Sequence, residues 1–165
     1  MVAGYIKKII DMNLSKNLSL QEVIKSQTAI QKGIKNIPNE EQIQNLIYIA
    51  ENVFQPLREH FDAPIGISSG FRCKRLNDAV GGSKTSDHME GRALDIDGDI
   101  YGGVTNKEIF DFIKKELKFD QLIWEFGTDK NPDWVHVSYN KDKNRNQVLK
   151  AFKSKGRTVY TNYNG

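Results

Sequence analysis

The chain has 165 residues, of which 38% are hydrophobic and 27% are charged. This composition excludes a disordered, collagen-like or low-complexity protein and fits one globular domain. Cys73 is the only cysteine, which excludes an intrachain disulfide and a thiolate zinc cluster. No apolar run approaches the ~20 residues of a membrane-spanning helix, so no membrane span is expected.

Positive charge is concentrated near the C-terminal end. Seven of the 24 Lys and Arg residues lie between Lys141 and Arg157, against the single acid Asp142. This segment carries a net charge of +6, so the rest of the chain is −3 within the total of +3. It suits a polyanion such as nucleic acid, an anionic membrane or an anionic wall polymer, or is simply a solvated face. We predict no nucleic-acid binding, because no recognition helix, P-loop or aromatic-studded sheet motif is present.

The first residues form an N-terminal lead-in, 1–18, ahead of the first helix. Its apolar stretch at 5–10 is too short and too interrupted for a signal-peptide core, so we expect synthesis in the cytoplasm without a signal peptide. Ser19 and Glu22 form a capping box, and the apolar face that follows predicts a single helix that ends at Gly33.

A second, longer helix is predicted after Asn39. Its apolar residues keep the helical spacing up to Leu57, and Pro56 is expected to kink it near its end. A third amphipathic helix follows the capping box of Thr105 and Glu108. We interpret these helices as scaffold.

Alternating apolar and polar residues predict four short strands in the second part of the chain: Ile65–Ser69, Arg92–Asp97, Asp120–Phe126 and Trp134–Tyr139. Helices gather early and strands late, which indicates an α+β fold with a small antiparallel sheet and flanking helices. No repeat or Gly/Pro/Ser-rich linker interrupts the chain. We therefore predict one domain over 19–153, followed by a basic and polar C-terminal tail at 154–165.

Two of the three histidines lie in patterns that fit a metal site. Asp95 lies in a strand on the face opposite Leu94, seven residues after His88, and His136 lies on the polar face of another strand. Neighbouring antiparallel strands would place Asp95 and His136 side by side, with His88 reaching in from a loop. Two imidazoles and one carboxylate suit a catalytic Zn²⁺ with an open fourth position. Spacing alone leaves open the alternative of a loop histidine and a hydrogen-bonded core histidine.

The motif Ser86-x-His88-x-x-Gly91-x-Ala93-x-Asp95, followed by Trp134-Val135-His136-Val137, resembles a known family. It is similar to the zinc D-Ala-D-Ala carboxypeptidases and L-Ala-D-Glu endopeptidases of bacteria and phages, whose fold is shared with the hedgehog signalling domain. Further segments match the lead-in typical of this group: Ser69-Gly70-Phe71-Arg72, Leu76-Asn77 and Val80-Gly81-Gly82-Ser83.

The resemblance implies a role for each matching residue. His88, Asp95 and His136 fall on the zinc ligands, and Arg72 falls on the arginine that engages substrate near the scissile carbonyl. The guanidinium of Arg72 suits a peptide carboxylate or a developing oxyanion. Ser86 is a candidate for a hydrogen bond to the substrate or to the ligand loop.

Two acids compete for the role of general base. Some relatives carry an acid three residues before the last histidine ligand, which here is Asp133, whereas hedgehog-like relatives carry one at the end of the preceding strand, which here is Glu125. A separation of three residues places Asp133 and His136 on opposite faces of a regular strand, unless the chain turns at Pro132. We therefore favour Glu125 and retain Asp133 as the alternative.

The resemblance implies hydrolysis of a peptide bond in peptidoglycan stem peptides, either as a carboxypeptidase or as an endopeptidase. It also implies a phage-lysin-like or virion-associated setting, in which the enzyme reaches the wall after release or delivery. The basic segment 141–157 would hold it to anionic wall polymers. The rival interpretation is a module that binds zinc without catalysis, as hedgehog domains do.

Overall fold

The computed structural model describes residues 11–165. The predicted lead-in is described only from Asp11 onward, and the stretch 5–10 lies outside the described residues. Six α-helices occur in the described chain: α1 Leu20–Ile24, α2 Gln27–Gln31, α3 Glu40–Ile49, α4 Gln55–Phe61, α5 Lys74–Ala79 and α6 Asn106–Glu116. Eight strands accompany them: β1 Asn13–Ser15, β2 Leu18–Ser19, β3 Gly66–Ser69, β4 Ala93–Asp97, β5 Gln121–Glu125, β6 Trp134–Ser138, β7 Gln147–Ser154 and β8 Arg157–Asn162.

The single helix predicted between Ser19 and Gly33 is wrong, because the chain breaks it into α1 and α2. The capping box of Ser19 and Glu22 begins α1 as expected. Lys25 then has extended backbone angles, and the side chain of Ser26 accepts a hydrogen bond from the Ala29 amide to begin α2. The break occurs because Ser26, inside the apolar pattern, offers a second N-cap. The spacing of apolar residues alone does not reveal it.

The second predicted helix changes its winding just before Pro56 and continues past it. A π-helical segment, Ala50–Phe54, joins α3 to α4, and Pro56 lies in the first turn of α4. A proline ring clashes with the carbonyl four residues earlier and cannot donate a hydrogen bond. The wider π turn accommodates both effects, so the helical path continues to Phe61.

The predicted α+β fold with flanking helices is confirmed. The main sheet has six strands in the order β3-β4-β6-β5-β7-β8, and its neighbouring strands are antiparallel except for the parallel pair β5 and β7. Strands β1 and β2 form a separate two-stranded sheet. None of the helices in the described part of the chain is both long and apolar enough to cross a membrane.

The two faces of the main sheet have different roles. On one face, alternate residues of β4, β5 and β6 join the helices in a single hydrophobic core, which includes Leu94, Ile96, Trp124, Val135 and Val137. The residues between them point to the opposite face. All four strands predicted from the sequence are present, and the polar residues of β4 and β6 therefore lie together on the face away from the core.

Strands β7 and β8 were not predicted. They form a hairpin in which Leu149 pairs with Asn162 and Ser154 with Arg157, and β7 adds to the sheet beside β5. Its residues are mostly polar or only partly buried, so hydrophobic alternation is weak there. The assignment of residues 154–165 as a tail stays a prediction, although 157–162 form an edge strand.

Candidate metal centre and active site

Sheet register brings two of the predicted ligands together. Asp95 of β4 lies directly opposite His136 of β6, and Ser69 of β3 lies opposite Asp95. Residues directly opposite each other in an antiparallel pair point to the same face. The polar alternation of the two strands therefore produces a row of polar side chains across the sheet.

A short 3₁₀ helix at Asp87–Glu90 carries His88, the third predicted ligand. This turn ends at Gly91, whose φ of 69° lies in the left-handed region and whose Cβ position would lie 2.4 Å from the Gln42 carbonyl oxygen. Gln42 donates a hydrogen bond to the Met89 carbonyl, which ties the turn to α3. His88 is held below it with only 2% of its surface exposed.

Three donor atoms converge at this point. Asp95 Oδ1 lies 2.9 Å from His136 Nδ1 and 3.2 Å from His88 Nε2, and the two nitrogens are 3.3 Å apart. Ligand atoms held tetrahedrally at 2.0–2.1 Å from a zinc ion lie about 3.3 Å from one another. The spacing of the three atoms therefore fits a zinc ion bound between them.

The tautomer of His88 also fits a metal. Its Nδ1 lies 2.6 Å from the carbonyl oxygen of Gly70, so the ring donates its proton there and directs the lone pair of Nε2 toward Asp95. Two lone pairs that face each other at 3.2 Å repel, whereas a cation between them is bound by both. Position 70 requires glycine because the backbone packs closely against α1. A Cβ there would lie 2.5 Å from the Val23 carbonyl oxygen.

The protonation states favour metal binding at Asp95 and His88. Burial opposes ionisation of Asp95, but both histidines hold its pKa well below the usual range. Burial lowers the pKa of His88 and keeps its ring neutral. Burial also acts to lower the pKa of His136, but the hydrogen bond and charge of Asp95 outweigh it and raise that pKa. The raised pKa of His136 means that protonation of this ring competes with metal binding.

Arg72 lies at the edge of this cluster. Its Nη2 donates to Asp95 Oδ2 at 3.2 Å and its Nε donates to Ser69 Oγ at 3.1 Å. Its backbone amide donates to the His88 carbonyl, which joins the Arg72 loop to the ligand turn. The guanidinium thus orients the carboxylate through the oxygen that does not face the histidines, and it also lines the adjoining cavity.

Glu125 is the last residue of β5 and lies on the same face as His136. Ile123 is paired with His136, and Glu125 follows it by two residues, so both face the ligand side of the sheet. Only 7% of Glu125 is exposed. Burial raises the pKa of its carboxyl to about 7. A carboxyl that titrates near neutral pH suits a group that accepts and then returns a proton.

Asp133 and Ser86 are not among the residues whose donor atoms converge. Asp133 is exposed and immediately precedes β6, and its backbone amide donates to the Glu125 carbonyl at 2.9 Å. The buried side chain of Asn106 donates to the Asp133 carbonyl, so the loop is fixed by its backbone. Ser86 is half-buried at the start of the ligand turn and its side chain does not cap it.

An open cavity of about 640 Å³ adjoins the ligand cluster on the β3 side. Arg72 and Asp95 line it, together with Ser69, Lys25, Gln27 and Tyr101. Of the three ligand residues, Asp95 is the one in its lining, so the cavity meets the cluster at that carboxylate. The cavity is large enough for several peptide units.

Gly70 and Ser69 have roles that the sequence does not predict. The Gly70 carbonyl fixes the tautomer of His88, and the Ser69 hydroxyl holds Arg72. Both belong to the Ser69–Arg72 motif, which carries part of the family resemblance. A backbone carbonyl leaves no signal of its own in a sequence.

The geometry agrees with a comparison against known families. The model of the family described as Peptidase M15 matches residues 16–138. The chain belongs to the peptidase M15 family. No curated protein matches the chain. M15 members are zinc-dependent peptidases, so the M15 assignment makes this chain a metallopeptidase by family.

The M15 match covers every predicted site residue and ends at Ser138, the last residue of β6. Strands β7 and β8 lie beyond the matched part of the chain. The matched range therefore contains the ligand cluster, Arg72 and both candidate bases, whereas the hairpin at the sheet edge lies outside it.

The raised pKa of Glu125 predicts a pH-dependent stability of the metal-free protein. The ordinary pKa of the carboxyl is 4.5 and its folded-state pKa is about 7, so the folded state binds more protons between these values. Stability therefore falls as pH rises through this window, by about 3 kcal/mol for this group. A glutamine at this position does not titrate. Denaturant unfolding of the chelated proteins measures the free energy of unfolding of wild type and Glu125→Gln. Between pH 4.5 and 7.5 this free energy should fall in wild type relative to Glu125→Gln. A difference between the two proteins that does not change with pH would contradict a buried, titrating carboxyl.

Proposed function

We propose that the chain hydrolyses a peptide bond in peptidoglycan stem peptides and uses zinc to do so. The observation that carries this proposal is the convergence of His88, Asp95 and His136 on one sheet face that also presents Glu125. Membership of the M15 family supports peptide hydrolysis. The stem peptide as substrate rests on the resemblance of the sequence to wall peptidases.

The three donor atoms fit zinc by chemistry as well as by spacing. Two neutral imidazole nitrogens and one carboxylate oxygen are a usual ligand set for catalytic zinc, whereas magnesium and calcium prefer oxygen ligands throughout. Zinc bound there supplies Lewis-acid polarisation of the scissile carbonyl and a lowered pKa for the attacking water.

The remaining steps are carried by side chains of the protein. Glu125, ionised, accepts a proton from the attacking water and then donates it to the nitrogen of the leaving amine. Arg72 donates hydrogen bonds to the carbonyl oxygen as negative charge develops on it. Ser86 is proposed to bind the substrate from the ligand turn. Asp133 remains the alternative general base.

Cleavage as an endopeptidase or as a carboxypeptidase depends on the length of substrate that the groove accepts. The cavity beside Arg72 is open to the surface and holds about 640 Å³, which favours more than one residue on that side of the scissile bond. Both activities hydrolyse the same type of bond. The identity of the released fragment separates them.

Binding of anionic wall polymers through the basic segment 141–157 is part of the proposal. Within it, Arg145 pairs with Asp120 and Lys150 pairs with Asp129. The five other basic residues of the segment form no ion pair with the described residues, so most of its charge is available to a polyanion. A phage-lysin-like or virion-associated setting is proposed on the resemblance alone.

Digestion of purified peptidoglycan and of synthetic stem peptides tests the function. Free D-Ala in the mass spectrum would identify a carboxypeptidase, and a new D-Glu amino terminus would identify an endopeptidase. The Glu125→Gln protein is the matched control, because its amide keeps the shape of the side chain. Stoichiometric zinc without any cleavage would overturn the proposal and favour the non-catalytic module.

A further inference from the structure

The β7–β8 hairpin lies beside the site, beyond the residues that match the family, and the catalytic steps proposed above do not use it. It forms the edge of the main sheet next to β5. Glu125 pairs with Ala151 of β7, and Ala151 pairs with Tyr160 of β8. Paired residues share a face, so Tyr160 points to the same side of the sheet as Glu125.

Tyr160 and Glu125 are separated by one small side chain. Their backbones lie two strands apart, which is about 10 Å. Ala151 between them is fully buried and carries only a methyl group. Tyr160 itself is 53% exposed, although it is a large aromatic residue. Burial raises the pKa of its hydroxyl, and the carboxylates of Glu125 and Asp95 raise it further, in keeping with a position beside the site.

Lys153 lies on the same face, two residues after Ala151. Its ammonium group donates to Thr158 Oγ1 at 2.8 Å and lies 5.1 Å from the centre of the Phe126 ring. No carboxylate of the described residues lies within the 4.0 Å of an ion pair with it. Lys150, on the opposite face of β7, is by contrast paired with Asp129. The hairpin therefore presents an unneutralised positive charge on the site side.

We propose that Lys153 and Tyr160 bind the substrate beyond the scissile bond, with Lys153 pairing with a carboxylate of an anionic peptide and Tyr160 packing against its backbone. This inference rests on the proposed function. Five strand spacings separate β3 from β8, about 24 Å, which is the length of roughly seven extended residues. A peptide that enters at the Arg72 cavity and crosses the ligand cluster reaches the hairpin at its other end.

The test compares two synthetic stem peptides that differ only by amidation of one carboxylate. Wild type is expected to prefer the carboxylate form in kcat/KM by about fivefold, which is the upper range for an exposed ion pair. Lys153→Gln should abolish this preference through KM and leave kcat unchanged. Tyr160→Ala should raise KM for both peptides several-fold. Lys118→Gln is the matched control, because it removes the same charge from an exposed position ahead of β5, outside the hairpin and the basic segment, and should keep the preference.

A binding measurement separates the failure of this inference from the failure of the proposed function. Calorimetry with the Glu125→Gln protein measures the affinity for the same two peptides without cleavage, because this variant lacks the proposed general base. A preference for the carboxylate form that disappears in Glu125→Gln/Lys153→Gln supports the hairpin site even if wild type cleaves neither peptide. Equal affinities and equal kcat/KM values for wild type and Lys153→Gln with both peptides would overturn it.

Discussion

Glu125→Gln is expected to lower kcat for stem-peptide cleavage by about 10²- to 10⁴-fold, the usual contribution of a general base. The glutamine keeps the side-chain volume but cannot accept the proton of the attacking water. Zinc content should stay at the wild-type level, since Glu125 is not among the three converging donors. Steady-state kinetics with metal analysis of the same samples measures both quantities.

Asp133→Asn is the matched comparison for this prediction. Asp133 is exposed, and its backbone holds the loop to Glu125 and Asn106 without its carboxylate. We expect kcat to change by no more than a few-fold. A large loss in Asp133→Asn together with a small loss in Glu125→Gln would reverse the assignment of the base.

His136→Ala is expected to lower zinc affinity by more than 10²-fold and to abolish detectable cleavage. Loss of a residue that only orients a ligand already costs 10- to 100-fold in affinity, and loss of a ligand costs more. Zinc stabilises the folded state in proportion to its affinity. The melting temperature of wild type should therefore rise with added zinc, whereas that of His136→Ala should not.

The third histidine provides the control. His60 lies in α4 and stacks on Phe112 with ring centres 4.1 Å apart, away from the ligand cluster. His60→Gln should keep the zinc-dependent rise in melting temperature and the rate of cleavage. An equal loss of zinc response in both variants would indicate general destabilisation rather than removal of a ligand.

The arrangement of the ligand cluster follows from features that a sequence records. The alternation around Asp95 and around His136 predicts two strands with polar side chains on one face, and the antiparallel pairing of β4 with β6 places them directly opposite each other. The motif around His88 predicts a loop that approaches this face. The alternation of faces along a strand likewise favours Glu125 over Asp133 as the general base. This argument needs only the number of residues between Asp133 and His136, which a sequence gives.

Other features have no comparable signal. The break between α1 and α2 depends on the extended backbone of Lys25, and the π turn before Pro56 depends on how the helix avoids a clash. The hairpin β7–β8 has partly exposed, polar strands, so it lacks the apolar alternation that identifies a half-buried strand. The approach of Tyr160 to Glu125 arises only from the pairing of β5 with β7 and of β7 with β8.

One metal ion bound by His88, Asp95 and His136 is expected to be required for peptide hydrolysis. Zinc is titrated into the chelated protein, and bound zinc and stem-peptide cleavage are followed together. We expect no cleavage without metal, a rise in rate that follows bound zinc, and a plateau at one zinc per chain. Cleavage that persists in the chelated protein, or zinc that binds at one per chain without producing cleavage, would contradict it.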